Sequence, residues 1–307
     1  MLRRFASLLL PALLVVPVTA QRAVRLDEPF VQTIDVDAVL RCFGTLGGVA
    51  ADDQGNVFVA NFGDSLWKVA PSGHATRLSD NFRVASGNTM TPDGRLLQSD
   101  FFQNWVFEVD QETGARTRVV RNGLNGPVGL AMDDNGVLYV CNCSGNNVRR
   151  VLPGSVTATA FAPSPLFNCP NGIGVGPNGD VFVVNFFDDN VLRIDSNGSV
   201  SLFATMGTSG AGSSHIAVVG SDLYVTKIGS HDLWRVSTLD GSTERIAGKD
   251  GVPGLIDGPA RRARLRYPNG IAAVRGGRDL IVNNLLGPRG GVGTPAGEML
   301  LRRITLR

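Results

Sequence analysis

The chain has 307 residues, 43% of them hydrophobic and 18% charged, with a formal net charge of +2. So balanced a charge leaves no electrostatic footprint for nucleic acid or anionic lipid. Its 38 Gly and 16 Pro favour many short elements joined by turns over a few long helices.

In chain order, Leu2-Arg3-Arg4 is a basic segment, Phe5 to Val18 is apolar, and Val18-Thr19-Ala20 offers small residues to a signal peptidase. Residues 1–20 therefore read as a cleaved signal peptide, with Gln21 as the mature N-terminus and the product secreted or periplasmic. The apolar run is short for a membrane span and is broken by Pro11 and Pro17. No later stretch is long and apolar enough for one. Phe30 to Val36 then reads as a strand with no neighbour of its own.

From Leu46 onward one pattern recurs: a Gly-containing apolar strand, a tight turn, an apolar strand ending in a polar residue, and a third strand. The best copy is PNGIGVGPNGDVFVVNFFDDNVLRIDSNGSVSLFATM from Pro170, with clear counterparts from Leu46 and Gly126 and weaker ones from Ser86, His215 and Pro268. Third strands align at Val69, Val109, Val151, Ile194, Val236 and Ile304, a step of roughly 40 residues that matches four-stranded propeller blades. The last step is longer because 248–267 and 287–297 are insertions. Asp93-Gly94, Asn135-Gly136 and Asn178-Gly179 supply positive-φ turns between antiparallel strands. Second strands such as Val181-Phe182-Val183 are continuous apolar runs, as expected of strands buried on both faces.

These features predict an all-β fold: a six-bladed β-propeller of four-stranded antiparallel blades, forming a single domain over 21–307. The final copy supplies three strands up to Arg307, so the strand at 30–36 is expected to complete that blade and close the ring.

A propeller gathers residues from every blade around one channel, where a ligand meets equivalent positions. At the start of the inner strands these are Gly47, Ser86, Val128, Asn171, Ser213 or a neighbour, and Asn269. At the end of the second strands they are Asn61, Asp100, Asn142, Asn185, Lys227 and Asn284. The second set reads as a polar ring for a ligand or hard cation, or alternatively as strand-end caps that bond free backbone groups. His215 stands where other copies carry Gly, which places an imidazole near the channel as a base, a ligand contact or a structural residue. With His74 in an outer turn and His231 on a loop, a three-His zinc site is not expected.

Motifs such as PNGI followed by a turn and an LYV-type strand resemble NHL repeats, and IAGKDGVPGLIDGPARRARLRYPNGIAAV from Ile246 is similar to the linker and repeat start of that family. The gluconolactonase and regucalcin family shares the architecture and binds a divalent metal. That resemblance implies ligands near Gly47, Ser86, Asn171 and Ser213, of which Asn171 alone matches. Asn171 and Asn269 are accordingly the candidate holders of a calcium or magnesium ion. The virginiamycin B lyase family is similar in repeat pattern and implies a His pair, for which this chain offers His215 but Asn269 in the next blade. No GxSxG, HExxH or Walker-type motif is present.

Four cysteines in an exported chain suit disulfides. Cys141 and Cys143 share a strand face and do not readily pair with each other. Cys169 precedes the next blade's inner strand, near the loop carrying Cys143, so a Cys143–Cys169 bridge is expected. Taken together, the residues point to a monomeric propeller that binds a small molecule, glycan or peptide at the channel mouth. The alternative is a metal-dependent hydrolase or lyase using the same channel.

Overall fold

The computed structural model describes residues 28–43, 45–207, 212–290 and 296–306. The signal peptide assigned to 1–20, the mature terminus at Gln21 and part of the second insertion lie outside the described residues.

Five four-stranded antiparallel sheets and one larger sheet are arranged as six blades. Blade one runs outward through Val49–Ala51, Val57–Ala60, Leu66–Val69 and Ala75–Ser79. The inner strands of blades two to six are Ala85–Met90, Pro127–Met132, Pro170–Val175, Ile216–Val219 and Ile271–Val274. Each inner strand contacts the next, and the sixth contacts the first, so the ring is closed around an axial channel.

Second strands are apolar along their length because both faces are covered. Val57–Ala60 and Val181–Asn185 are buried at every position. Each blade's faces pack on its two neighbours, and the core is divided accordingly. Six clusters occur among the described residues, one at each blade interface. At the closing interface Val49, Val57 and Val59 of blade one meet Ala272, Val274 and Ile281 of blade six.

Blade six is completed by the start of the chain, as the strand count requires. Phe30–Thr33 pairs antiparallel with the long strand Ala296–Thr305, with Val31 opposite Ile304 and Thr33 opposite Arg302. Leu40–Phe43 pairs with the other half of the same strand, Leu40 opposite Met299. The strand expected at 30–36 thus ends at Thr33, and a further strand at Leu40–Phe43 shares its ten-residue partner. Burying Val31, Leu40 and Cys42 stabilises the closure.

The insertion at 248–267 extends this sheet, with Gly258–Pro259 pairing outside Phe30 and Val31. It is held by Arg302, which is fully buried. The Arg302 guanidinium donates to Ile256 O at 3.0 Å, to Arg264 O at 3.2 Å and to Asp257 Oδ1 at 2.5 Å. Asp257 also accepts from the Thr33 N–H and hydroxyl, both at 2.9 Å. One carboxyl group therefore ties the insertion to both strands of the closure.

Candidate functional site

Where the inner strands begin, the ladder is irregular. Register shifts lie between Ala85 and Asn88, between Pro127 and Leu130, and between Pro170 and Gly172. Such bulges bend a strand and re-aim its side chains, and here they fall at the channel mouth. Glycine follows because neighbouring backbones nearly touch. A Cβ on Gly87 would lie 2.2 Å from Val128 O, one on Gly129 2.2 Å from Asn171 O, and one on Gly172 2.5 Å from Ser214 O. Blade five departs from this rule by carrying His215 at the corresponding position, preceded by Ser214 rather than Ser213.

The mouth is a bowl of about 290 Å³. Ser86, Val128 and Asn171 come from inner strands, and His215 and Asn269 from just before them; Phe62, Phe101, Phe186 and Phe187 come from loops after the second strands; and Arg289 overhangs from the second insertion. The Cys143–Cys169 disulfide forms part of the wall between blades three and four. A second cavity of about 360 Å³ occupies the far end of the channel, lined by inner-strand residues such as Ala50, Met90, Met132 and Val218. His215 is the one residue that lines both.

Several polar groups of the bowl lack protein partners. Ser86 Oγ is buried without a hydrogen bond. Among the described residues no side-chain hydrogen bond is formed by Asn171 or His215, which are 5% and 8% exposed. Asn269 differs, since its amide donates to Gly47 O at 3.0 Å and also to Leu46 O. Desolvation lowers the His215 pKa to about 4, so the imidazole is neutral at physiological pH.

The polar residues at the second-strand ends are placed differently. Asp100 accepts from the Arg83 and Val84 N–H groups, Asn142 from Asn125 N–H, Asn185 from Asn168 N–H, and Asn284 from Arg266 N–H. Asn61 accepts from Gly63 and Ser65 N–H. Lys227 inverts the polarity, donating to Met206 O and pairing with buried Asp189 at 2.8 Å. In blades two, three, four and six the partner lies 16 to 18 residues upstream, in the loop entering the same blade. All six are buried and engaged in strand-end capping, and none lines the bowl.

Two further sets of contacts escape sequence reading. Asn104, Asn146 and His231 have positive φ and accept the N–H of Gly126, Cys169 and Tyr267 across to the next blade. Cys169 and Tyr267 are themselves left-handed at φ 52° and 46°, although each precedes proline, a position that normally favours extended backbone. One residue before the second-strand end, Ser99 donates to Val128 O, Thr226 to Asn269 O and Asn283 to Gly47 O, each time in the following blade. The second set left a signal, a polar residue at a repeat position that holds Ala60, Cys141 and Val184 in the other blades, whereas the first set shares its position with Ser65 and Asp189 and does not stand out.

A resident divalent cation does not fit this donor set. Ser86, Asn171, His215 and Asn269 carry no negative charge, no Asp or Glu among the described residues lines the bowl, and hard cations are held mainly by carboxylate oxygens. Among the described residues no three His, Cys, Asp or Glu side chains converge on one point.

The family model described as "SMP-30/Gluconolactonase/LRE-like region" matches residues 42–159, which span blades one to three. No curated protein matches the chain. Among solved structures, a gluconolactonase from Xanthomonas campestris is 14% identical with a TM-score of 0.67, the match covering 92% of this chain and 91% of that one. An auxiliary nutrient binding protein from Bacteroides ovatus is 14% identical at TM-score 0.71, covering 91% and 77%. A catalytically inactive virginiamycin B lyase from Staphylococcus aureus, solved with quinupristin, is 16% identical at TM-score 0.59, covering 85% and 80%. At these identities the likeness is one of fold, a six-bladed propeller.

Proposed function

We propose that this chain is an exported, NHL-type propeller that binds a small, largely apolar organic molecule in the bowl at the channel mouth. One observation carries the reading: four phenylalanines and a disulfide surround a concave site in which Ser86, Asn171 and His215 make no side-chain hydrogen bond to any described residue. Ligand sites are mostly apolar hollows with a few convergent polar groups that orient the occupant. Burying polar atoms without partners costs free energy, and a ligand that bonds them offsets that cost. Export is supported by the disulfide, a bond that persists in oxidising compartments.

The hydrolase or lyase alternative would rest on His215. An imidazole with a pKa of about 4 is a weak base at neutral pH. Among the described residues no carboxylate bonds its ring to orient it, and no Asp or Glu lines the bowl beside it. The fold neighbours include a gluconolactonase, a lyase and a nutrient binding protein.

Ligand-observed NMR with a set of aromatic and alicyclic fragments tests the proposal. Saturation transfer is expected to a subset of fragments and is expected to be lost in a Phe101→Ala/Phe186→Ala double variant that keeps its fold. Transfer that persists unchanged in the variant, or none with any fragment, would refute binding at the mouth.

A further inference from the structure

We propose that the ligand carries an anionic end and that Arg289 selects it, the guanidinium closing one side of the bowl over a ligand seated against the phenylalanines. This rests on the reading of the mouth as a binding site and specifies its ligand class: a one- or two-ring carboxylate, sulfonate or phosphate ester.

Charge is the first ground. Among the described residues Arg289 is the one charged side chain that lines the bowl. Among the described residues it forms no ion pair, as is also true of Arg83, Arg116 and Arg118, and of these four it alone lines the bowl. Placement is the second. Its guanidinium carbon lies 5.2 Å from the centroid of Phe186, a cation–π contact that holds the flat head over the cavity. Partial desolvation there pulls its pKa below the usual guanidinium range, which marks a charge short of solvent and of a counter-ion.

The polar groups below are of matching kind. Ser86 Oγ, the Asn171 amide and a neutral imidazole N–H on His215 can each donate a hydrogen bond. Donors together with a planar cation suit an oxyanion, which Arg binds through paired N–H groups. A cationic ligand would meet Arg289 with no carboxylate to offset the repulsion. The volume of about 290 Å³ is at the small end for ligand pockets, which limits the occupant to one or two rings.

Two fluorescent probes that share one ring system provide the test. 2-Naphthalenesulfonate carries the anion, and 2-naphthalenesulfonamide lacks it. The native protein is expected to bind the sulfonate roughly tenfold more tightly than the neutral probe. Arg289→Gln is expected to erase that preference and Arg289→Lys to restore part of it, with melting temperatures confirming that both variants fold. Equal affinities for the two probes, or a sulfonate preference that survives Arg289→Gln, would overturn the anion assignment while leaving binding at the mouth intact. Failure of both probes to bind, or binding that the Phe101→Ala/Phe186→Ala variant leaves unchanged, would overturn the mouth reading and the anion assignment with it.

Discussion

His215 is held neutral by burial alone. Its folded pKa of about 4 lies below the ordinary imidazole value of 6.5, so the folded chain binds fewer protons than the unfolded chain between those values. Stability therefore falls as pH drops through 6.5, and the loss levels off near 4. At pH 4.5 this amounts to roughly 2 to 3 kcal/mol. Urea denaturation of the native protein and of His215→Gln at pH 7 and pH 4.5 measures it, and the variant should lose that much less on acidification. Equal losses in both would contradict a desolvated imidazole. At Gly129 the issue is space rather than charge. The added methyl of Gly129→Ala would press on Asn171 O at 2.2 Å, prying blades three and four apart at a cost of about 3 kcal/mol, read from the same denaturation curves.

The clasp at Asp257 acts between elements. It joins Thr33 in the closing strand, Arg302 in its partner and the insertion. Asp257→Ala removes three hydrogen bonds and should cost about 2 kcal/mol, with hydrogen exchange accelerating first in Phe30–Thr33. A double-mutant cycle with Thr33→Val should show coupling between the two sites. If both variants melt like the native protein, the ring is closed by strand pairing and apolar burial alone. This clasp was not legible in the sequence. Arg302 lies in an ordinary alternating strand, and its burial depends on an insertion whose path no periodicity reports. The closing strand itself was legible, because a three-stranded final repeat leaves an edge that an unassigned apolar strand can fill. The second-strand ends were legible in part. Their residue types marked Asn61, Asp100, Asn142, Asn185 and Asn284 as special, but alternation assigns a face only within the ladder. At the last position the side chain is free to turn away from the ladder, back to the entering loop in Asp100, Asn142, Asn185 and Asn284 and onward to Gly63 and Ser65 in Asn61.

The bowl is a property of the whole ring. Its polar residues could be anticipated from repeat alignment, as Ser86, Asn171, His215 and Asn269 were. Its phenylalanines and Arg289 could not, because they sit in connections of differing length that the repeat does not align. The Cys143–Cys169 bridge links the blades that flank Asn171 and closes a loop with a sequence separation of 26. Chain-entropy arguments put its contribution at about 3 kcal/mol, so a Cys143→Ser/Cys169→Ser variant should unfold at correspondingly lower urea. The uncharged donor set makes a further prediction for the intact molecule. Dialysis against a chelator should leave the melting temperature within about 1 °C, since a bound structural cation would stabilise the fold by mass action. A drop of many degrees would point to a cation site elsewhere in the chain.

A crystal structure of the protein with 2-naphthalenesulfonate is the most direct test of binding at the mouth. The rings are expected against Phe101 and Phe186, with the sulfonate within hydrogen-bonding distance of Arg289. Density for the probe at any other surface, with the bowl holding only water, would contradict it.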